Sequence, residues 1–531
     1  MPVREVRAVG DRAVLVGCGS LQEVIDLHDT LVADPLEGQL DVLAAAETVL
    51  VLAGDPADVE RLAAELAVLP ARGGAAKDDR LVTIDTVYDG ADLAEVADLT
   101  GLSVEGVVAA HTGQTWTAAF GGFAPGFAYL VGENHALDVP RRAAPRTSVP
   151  AGSVALAGHF SAVYPRDSPG GWQLIGRTGA RMWDLDRPEP ALVRPGNRVR
   201  YRAVREIVAS TSTADDVAAI PSAPATAPRD VADAPGAEPP GGALVVAEPG
   251  LQSVVEDLGR PGYLDLGVCP SGALDRGAAV RANRLVGNDR GAAVVETVMG
   301  GLRLTARGDQ VLAVTGAPAP LTVTAPDGAV VLRPRTDAPF ALRDSHTLSL
   351  GPPAAGLRSY VAVRGGLDAA VVLGSRSTDT MSGIGPALLE AGAGVPVLPP
   401  RPGAVVAGPD PARDWPDGPV TLAVVPGPRE DWFTPDAVAR LYAAAWTVTD
   451  RSNRVGLRLD GEPLSRARTQ ELPSEGTVAG AVQVPASGLP VVLLADHPTS
   501  GGYPVIAVVR HADLDRLAQV RPGDALRFAR A

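Results

Sequence analysis

Arg194-Pro-Gly-Asn-Arg-Val-Arg-Tyr201 and Arg521-Pro-Gly-Asp-Ala-Leu-Arg-Phe528 follow one pattern. Each is a Pro-Gly turn followed by a strand of alternating polar and apolar residues. Upstream, Ser168-Pro-Gly-Gly-Trp-Gln-Leu-Ile175 matches Thr499-Ser-Gly-Gly-Tyr-Pro-Val-Ile506. Further upstream, Val149-Pro-Ala-Gly-Ser-Val-Ala-Leu156 echoes Val484-Pro-Ala-Ser-Gly-Leu-Pro-Val491. Three matches in one order imply a β-barrel used twice. The competing explanation is convergent turn chemistry in a chain rich in Gly and Pro.

Working outward, residues 1–90 alternate strand and helix signals and predict a small α+β sandwich. Ser20-Leu-Gln-Glu23 is a capping box that opens a helix to about Ala33. Asp55-Pro56 supplies an N-cap and an N1 proline for a second helix. Leu81-Val-Thr-Ile-Asp-Thr-Val-Tyr88 alternates like a half-exposed strand. Residues 91–208 are predicted as the first barrel. Residues 209–242 read as a disordered linker of Ala, Pro, Ser, Thr and Asp without periodicity. A second β-rich block follows, expected as one barrel over 243–400 and another over 401–531. The fold class is therefore mainly β with α+β, tandem barrels preceded by a small sandwich.

Composition narrows the functions. The chain has 531 residues, with 59 Gly and 48 Pro, together about a fifth of the total against roughly an eighth in ordinary domains. Lys77 is the one lysine. A P-loop is excluded, since its lysine is missing, and Lys77 sits in a polar turn unsuited to a Schiff base. A net charge of −15 disfavours nucleic acid and anionic membranes as partners. With no apolar h-region at the start and no long apolar run, the expected location is cytoplasmic. Cys18 and Cys269 read as reduced thiols, and no ligand spacing predicts a structural metal site. Nothing in the pattern fixes an oligomeric state, which leaves room for a homo-oligomer.

Several segments could carry chemistry. Phe120-Gly-Gly-Phe-Ala-Pro-Gly-Phe127 makes an aromatic-walled turn, with Phe123, Pro125 and Gly126 as candidate ligand contacts; a barrel corner is the plainer reading. Pro140-Arg-Arg-Ala-Ala-Pro-Arg146 presents guanidinium forks on an extended segment, suited to anions or to a solvated face. Gln173 and Arg177 share one face of a strand. In the second block Asp257 and Arg260 flank a Gly/Pro turn. Ser271 or Asp275 would cap the helix beginning near Leu274, a cap that can coexist with anion binding. Glu296 lies in an apolar strand, where a carboxylate is paired or functional. Arg376, Ser377 and Asp379 share the loop Gly374–Asp379, and Gly501, Gly502 and Tyr503 follow His497, a candidate acid or base or a structural turn histidine.

These segments together carry a family resemblance. Phe123-Ala-Pro-Gly-Phe-Ala-Tyr-Leu130, Pro145-Arg-Thr-Ser-Val-Pro-Ala-Gly-Ser153 and Ser168–Thr178 resemble the B subunit of 5-oxoprolinase, also called KipI or allophanate hydrolase subunit 1. Val254–Tyr263, Pro270–Asp275, Leu285–Asn288, Val363–Asp368, Leu373–Asp379, Ser474–Gly476 and Asp496–Pro504 resemble its C subunit, also called KipA or the carboxyltransferase-type region of urea amidolyase. The chain is thus similar to a B–C fusion. That resemblance implies cyclophilin-like barrels, ATP with Mg²⁺, and opening of 5-oxoproline to glutamate with a separate A subunit of the LamB/YcsF family. Arg146, Arg177, Arg260 and Arg376 would hold the substrate carboxylate and polyphosphate. Asp257, Asp275, Glu296 and Asp379 would serve Mg²⁺ or proton transfer, as catalytic candidates. The chain departs from the family where Ala157-Gly-His-Phe-Ser-Ala-Val-Tyr-Pro165 replaces a segment with a Gln-Thr pair, and where Asp496-His-Pro-Thr-Ser-Gly-Gly502 replaces Asp-Arg-Gln-Thr-Thr-Gly-Gly. The alternatives are a biotin-dependent amidolyase component, which would need partners to supply the biotin site absent here, and an inhibitor of a sensor kinase.

Overall fold

The computed structural model describes residues 4–72, 79–142, 144, 146–206, 242–400, 403–406, 408–411, 413–415 and 418–531. The expected linker (apart from Gly242) and Lys77 lie outside these. The chain opens on a four-stranded sheet of β1 (Val6–Ala8), β2 (Ala13–Gly17), β3 (Gln39–Ala44) and β4 (Thr48–Ala53), in the order β1-β2-β4-β3. Helices α1 (Leu21–Ala33) and α2 (Val59–Val68) pack Val24, Leu27, Leu31, Leu62 and Leu66 into its core. The caps are those predicted. Ser20 Oγ accepts the Glu23 amide at 3.2 Å, and Asp55 accepts the Ala57 amide at 2.9 Å.

The first barrel follows. Its strands are β5 (Leu81–Thr86), β6 (Trp116–Gly121), β7 (Ala128–Val131), β9 (Ser153–Ala157), β10 (Phe160–Val163), β12 (Gln173–Arg177) and β13 (Arg198–Ala203). A separate ribbon pairs β8 (Arg146–Val149) with β11 (Ser168–Gly170), and α3 (Leu93–Thr100) and α4 (Val104–Thr112) precede β6. The ladder runs β5-β13-β6-β7-β10-β9-β12. Val87 and Arg177 then exchange two 2.9 Å backbone bonds, which bring β12 back to β5 and nearly close the barrel.

Residues 243–400 do not close. Strands β14 (Ala243–Pro249), β15 (Ser253–Glu256), β16 (Val294–Val298), β17 (Leu302–Arg307), β18 (Gln310–Gly316), β19 (Leu321–Thr324), β20 (Val330–Leu332), β21 (Pro339–Leu342), β22 (Thr347–Leu350), β23 (Arg358–Val363) and β24 (Gly394–Pro396) form a six-stranded and a five-stranded sheet around a Leu/Val core. The expected third barrel is thus a two-sheet sandwich, carrying α5 (Arg276–Leu285). Length and strand content do not distinguish the two architectures; edge closure does.

The last unit is a closed barrel. It comprises β25 (Val420–Pro426), β26 (Trp446–Val448), β27 (Gly456–Asp460), β29 (Ala481–Gln483), β30 (Val491–Leu493), β32 (Val505–Val509) and β33 (Ala525–Arg530), with the ribbon β28 (Glu475–Gly476)·β31 (Ser500–Gly501) and helices α6 (Pro435–Ala443) and α7 (Leu514–Leu517). Its circular order, β25-β33-β26-β27-β30-β29-β32, repeats that of the first barrel strand for strand. In both, the first strand pairs in parallel with the last. Both also bury a tryptophan at the entry to the second strand. Trp116 Nε1 donates to the His111 carbonyl at 3.0 Å, and Trp446 Nε1 to the Leu441 carbonyl at 3.2 Å.

The internal repeat is therefore real, with two corrections. The third sequence match is out of register: Val149–Leu156 leads into β9, whereas Val484–Val491 follows β29. The equivalent turn is Val478-Ala-Gly480, where Gly480 (φ +87°) matches Gly152 (φ +78°) in the left-handed region. Shared Pro/Gly turn chemistry, not common position, produced that echo. The second correction moves the expected boundary at residue 90 upstream. β5 belongs to the barrel, since its partner β13 lies more than a hundred residues later, and parallel pairing requires such a crossover.

Candidate functional site at the junction of the halves

The two halves share a buried apolar cluster, in which Val9, Leu15, Leu43 and Leu50 pack with Leu264, Leu493 and Val508, and they are joined by hydrogen bonds. The Phe123 amide donates to Ser500 Oγ at 2.9 Å, the Gly126 amide to the Leu266 carbonyl at 3.1 Å, and the Gly262 amide to Asp41 Oδ2 at 2.7 Å. Phe123 takes φ +64°, a strained backbone for an aromatic residue. Its ring and those of Phe127, Tyr164 and Trp172 form an edge-to-face cluster behind this contact. The aromatic turn is thus a packed corner that also builds the junction, with Pro125 buried and Gly126 pressed against the Met182 carbonyl.

Behind the junction lies a buried ion cluster. Arg454 is 1% exposed and meets three carboxylates: Asp496 (Nε–Oδ2, 3.0 Å), Glu256 (Nη2–Oε1, 3.2 Å) and Glu296 at closer range. Glu296 also accepts the Leu274 amide at 3.0 Å and the Tyr360 hydroxyl at 2.8 Å. Asp496 accepts Ser271 Oγ at 2.7 Å and both the amide (2.9 Å) and hydroxyl (2.7 Å) of Thr380. Burial works to raise the Asp496 carboxyl, but the Arg454 charge and these donors hold it below its ordinary value. Glu256 has neither oxygen in a hydrogen bond among the described residues. Burial therefore pushes its carboxyl well up, against the partial relief from Arg454.

The predicted residues divide into spent and unspent groups. Asp275 caps α5 by accepting the Ala278 amide at 2.9 Å, and its other oxygen takes Arg413 (2.6 Å) and Gln519 (2.7 Å). Capping thus uses it fully. Asp257 is a brace: it accepts Ser375 Oγ and Ser377 Oγ at 2.6 Å, the Arg376 amide at 2.6 Å and the Gly259 amide at 2.7 Å. Arg376 donates Nε to the Ala369 carbonyl at 3.0 Å. Arg177 is exposed and pairs with Asp89 at 2.8 Å. The arginine segment is also largely neutralised. Arg142 and Arg146 both grip Asp92 (2.6 and 2.7 Å), and Arg141 pairs with Glu471 at 2.7 Å. Gln173 reaches the Pro140 carbonyl at 3.4 Å, and a methyl at Gly502 would lie 2.8 Å from Arg141 Nη1. Gly501 pairs with Glu475 in the β28·β31 ribbon, and Tyr503 is exposed. His497 is buried against Thr477 and the Pro498 carbonyl, a structural turn position. The departing segment near Ser161 keeps a polar contact inside the first barrel, where Ser161 Oγ bonds Tyr201 (3.1 Å) and His111 (3.0 Å).

The candidate site is the region around the loop at 379–385, where several buried polar atoms are left over. Arg146 Nη1, Arg166 Nη1, Arg260 Nη1, Asp379 Oδ2 and Ser382 Oγ are buried without a hydrogen-bond partner among the described residues. Arg166 comes from the first half and approaches Gly383 of the second. Asp379 uses Oδ1 on the amides of Met381 (3.0 Å) and Ser382 (2.9 Å). Burial and the nearby Asp496 charge push its carboxyl up to about 6. Among the described residues no group of three or more His, Cys, Asp or Glu is arranged to hold a metal. Arg166, Arg454 and Glu256 were not singled out by the sequence; Arg166 and Arg454 are isolated charges in turn segments, and Glu256 ends a short strand, so none carries a local signal of burial.

Asp379→Asn gives a test of this environment. The folded pKa near 6 lies above the unfolded value, so the acid's contribution is fully present below about pH 4 and lost as pH rises through 6. The asparagine keeps the Oδ1 acceptor. It is expected to stabilise the protein by about 2 kcal/mol at pH 8, fading to nothing near pH 4. Urea midpoints at the two pH values check this, and equal midpoints at pH 8 would contradict the buried, charged carboxylate.

A cavity of about 380 Å³ opens between the small sandwich, the α5 region and the last barrel. Ser271 (φ +54°) lines it and links its wall to Asp496. No helix among the described residues is long and apolar enough to cross a membrane.

Tandem barrels joined across such a cleft define a carboxyltransferase-type architecture, and comparison with known proteins agrees. The model of carboxyltransferase domain subdomains A and B matches residues 266–530, and that of subdomains C and D matches residues 4–193. The chain belongs to the family that holds the B and C subunits of 5-oxoprolinase together with the carboxyltransferase region of urea amidolyase, and its B-like part precedes its C-like part. It is 35% identical over 288 residues to the C subunit of 5-oxoprolinase from Escherichia coli K12, covering 54% of this chain and 90% of that protein. It is 47% identical over 132 residues to the B subunit of 5-oxoprolinase from E. coli O157:H7, covering 24% and 61%. Urea amidolyase of Saccharomyces cerevisiae is 30% identical over 315 residues, of which this chain spans only 16% of the length. The crystal structure of TTHA0988 superposes with a TM-score of 0.80 at 35% identity, covering 99% of this chain and all of that one.

Proposed function

We propose that this chain is the B–C component of an ATP-dependent 5-oxoprolinase, opening 5-oxoproline to glutamate with a separate A subunit. The observation that carries this reading is the union of B-like and C-like halves in one chain, with Arg166 of the first half reaching the Asp379–Gly385 loop of the second, where buried polar atoms lack partners among the described residues. An unstrained lactam resists hydrolysis, so coupling to ATP supplies the driving force. Phosphoryl transfer to the lactam oxygen would activate the carbon for water. Breaking the C–N bond then leaves an acyl phosphate, and a second water releases phosphate and glutamate.

The residues present fit anionic substrates. The unpartnered guanidinium nitrogens of Arg146, Arg166 and Arg260 suit phosphate or carboxylate oxygens. Mg²⁺ would arrive with the nucleotide, and Asp379 has one carboxylate oxygen to give it. The other three acids named from the sequence, Asp257, Asp275 and Glu296, act as braces and ion-pair partners instead.

The test mixes the purified chain with a LamB/YcsF-family A subunit, then with ATP, Mg²⁺ and 5-oxoproline, and measures glutamate. ATP-dependent glutamate is the expected result. A folded mixture that makes none, yet carboxylates urea when given a biotin carboxylase and carrier, would transfer the chain to the urea amidolyase reading.

A further inference from the structure

The cavity between the halves is lined by two arginines and two aspartates, Asp11 and Asp515, and among the described residues no ion pair joins those arginines to those aspartates. Arg12, just ahead of β2, and Arg276, the first residue of α5, both line it. Arg12 Nε is buried without a hydrogen-bond partner. Arg276 reaches the Ser271 carbonyl from Nη2 at a long 3.4 Å. The two lining aspartates have other hydrogen-bond partners. Asp11 accepts the His511 amide at 3.0 Å and Arg510 Nε at 3.4 Å, and Asp515 accepts the Gly277 amide at 3.1 Å. Arg276 faces the cavity; burial lowers its pKa and Arg12 repels it, against the attraction of Asp515. His511, lowered by burial, feels the same two charges. Two guanidinium groups facing a cavity without a paired carboxylate are costly unless an anion joins them.

The rest of the wall restricts what that anion can be. Val9, Leu52, Leu264, Leu493, Val508 and Leu514 make most of the surface apolar. A free phosphate would match the charges but leave this surface facing a strongly hydrated ion. A nucleotide triphosphate brings more negative charge than two guanidinium groups balance. A compact ring with one carboxylate satisfies both parts, the carboxylate between the arginines and the ring against the aliphatic wall.

We infer that this cavity is a carboxylate-binding site for a small cyclic monoacid, with Arg12 from the B-like half and Arg276 from the C-like half as its anion clamp. Resting on the function proposed above, that acid is 5-oxoproline. The site is incomplete in either half alone, which gives a chemical reason for holding both halves in one chain.

The experiment is calorimetric titration of the full chain with 5-oxo-L-proline, with 2-pyrrolidinone as the ring without a carboxylate. Arg12→Gln and Arg276→Gln should each weaken 5-oxoproline binding by roughly tenfold to a hundredfold, and 2-pyrrolidinone should bind more weakly than 5-oxoproline by a similar factor. Without ligand, both variants should melt at or above the wild-type temperature, since each removes a repelled cation; arginines serving the fold would melt lower when replaced. Unchanged affinity in both variants, equal binding of 2-pyrrolidinone, or no 5-oxoproline binding by the wild-type chain would overturn the site. Glutamate production with the partner hydrolase component is scored separately. Activity without binding here sinks the cavity assignment alone, and binding here without activity sinks the functional reading alone.

Discussion

Arg454→Met should destabilise the C-terminal half by about 3–5 kcal/mol at neutral pH, the usual cost of removing one partner from a buried ion pair. The side chain is 1% exposed and is the cation on which Glu256, Glu296 and Asp496 converge. Methionine fills similar volume but leaves those carboxylates facing one another, with Arg358 (3.4 Å from Glu296) as a distant substitute. The pH dependence has a definite sign. In the wild type Asp496 titrates below its ordinary value, so its stabilising contribution is present above about pH 4 and lost as pH falls through its folded pKa. Glu256 titrates above its ordinary value, so its contribution is fully present below about pH 4 and lost as pH rises. Without Arg454, burial raises Asp496 as well, and its contribution reverses sign. The gap between wild type and variant should therefore be widest near neutral pH and narrow toward pH 4. Urea denaturation followed by tryptophan fluorescence at several pH values reads this directly. A midpoint within about 0.5 kcal/mol of wild type at pH 7.5 would show that the cluster is solvated. Arg454→Lys, which keeps the charge but loses the fork, should fall between the two.

This cluster also shows where sequence reading stops. The barrels were legible because Pro-Gly turns and alternating strands recur locally, and Arg194–Tyr201 and Arg521–Phe528 occupy equivalent closing strands. Helix starts at Ser20 and Asp55 were legible for the same reason, since a cap and its amide lie within three residues. Long-range pairing leaves no such local mark. The partner of β5 lies across the whole barrel, so its alternation fixed its type but not its sheet. Asp275 reads in the sequence as a helix cap and is one, whereas Asp257 shows only as a carboxylate beside a Gly/Pro turn; the partners that make both into braces, Gln519 and Ser375–Ser377, are distant in the chain. Arg12 and Arg276 look like ordinary surface charges in sequence, and only the meeting of the two halves encloses them. The sandwich over 243–400 differs from a barrel through edges that never meet, a property of three-dimensional twist and not of composition.

Gly121→Ala and Gly267→Ala should each part the two halves, because these glycines meet carbonyl groups of the opposite half with no room for a methyl. A Cβ at Gly121 would lie 2.1 Å from the Asp265 carbonyl oxygen. One at Gly267 would lie 2.2 Å from the Ala124 carbonyl oxygen, and Gly267 holds φ +75°. Backbone on both sides means that no side chain can swing aside. Relief requires the interface to open or both loops to move. Overpacking of this kind costs about 1–3 kcal/mol, and the left-handed backbone at Gly267 adds about 1 kcal/mol more. Gly328→Ala is the matched control, with φ +85° and open space around its Cβ, and should lose only the backbone part. Each half also keeps a core of its own, while the cluster shared by the halves opposes full separation, so the expected outcome is partial opening before unfolding. Small-angle scattering should show a larger radius of gyration for the Gly121 and Gly267 variants and an unchanged one for Gly328→Ala. The same opening should separate Arg12 from Arg276 and weaken 5-oxoproline binding, although neither glycine lines the cavity. Wild-type scattering in both interface variants would mean that the loops absorb the methyl locally, and a larger radius of gyration with wild-type binding would mean that the junction does not assemble the site.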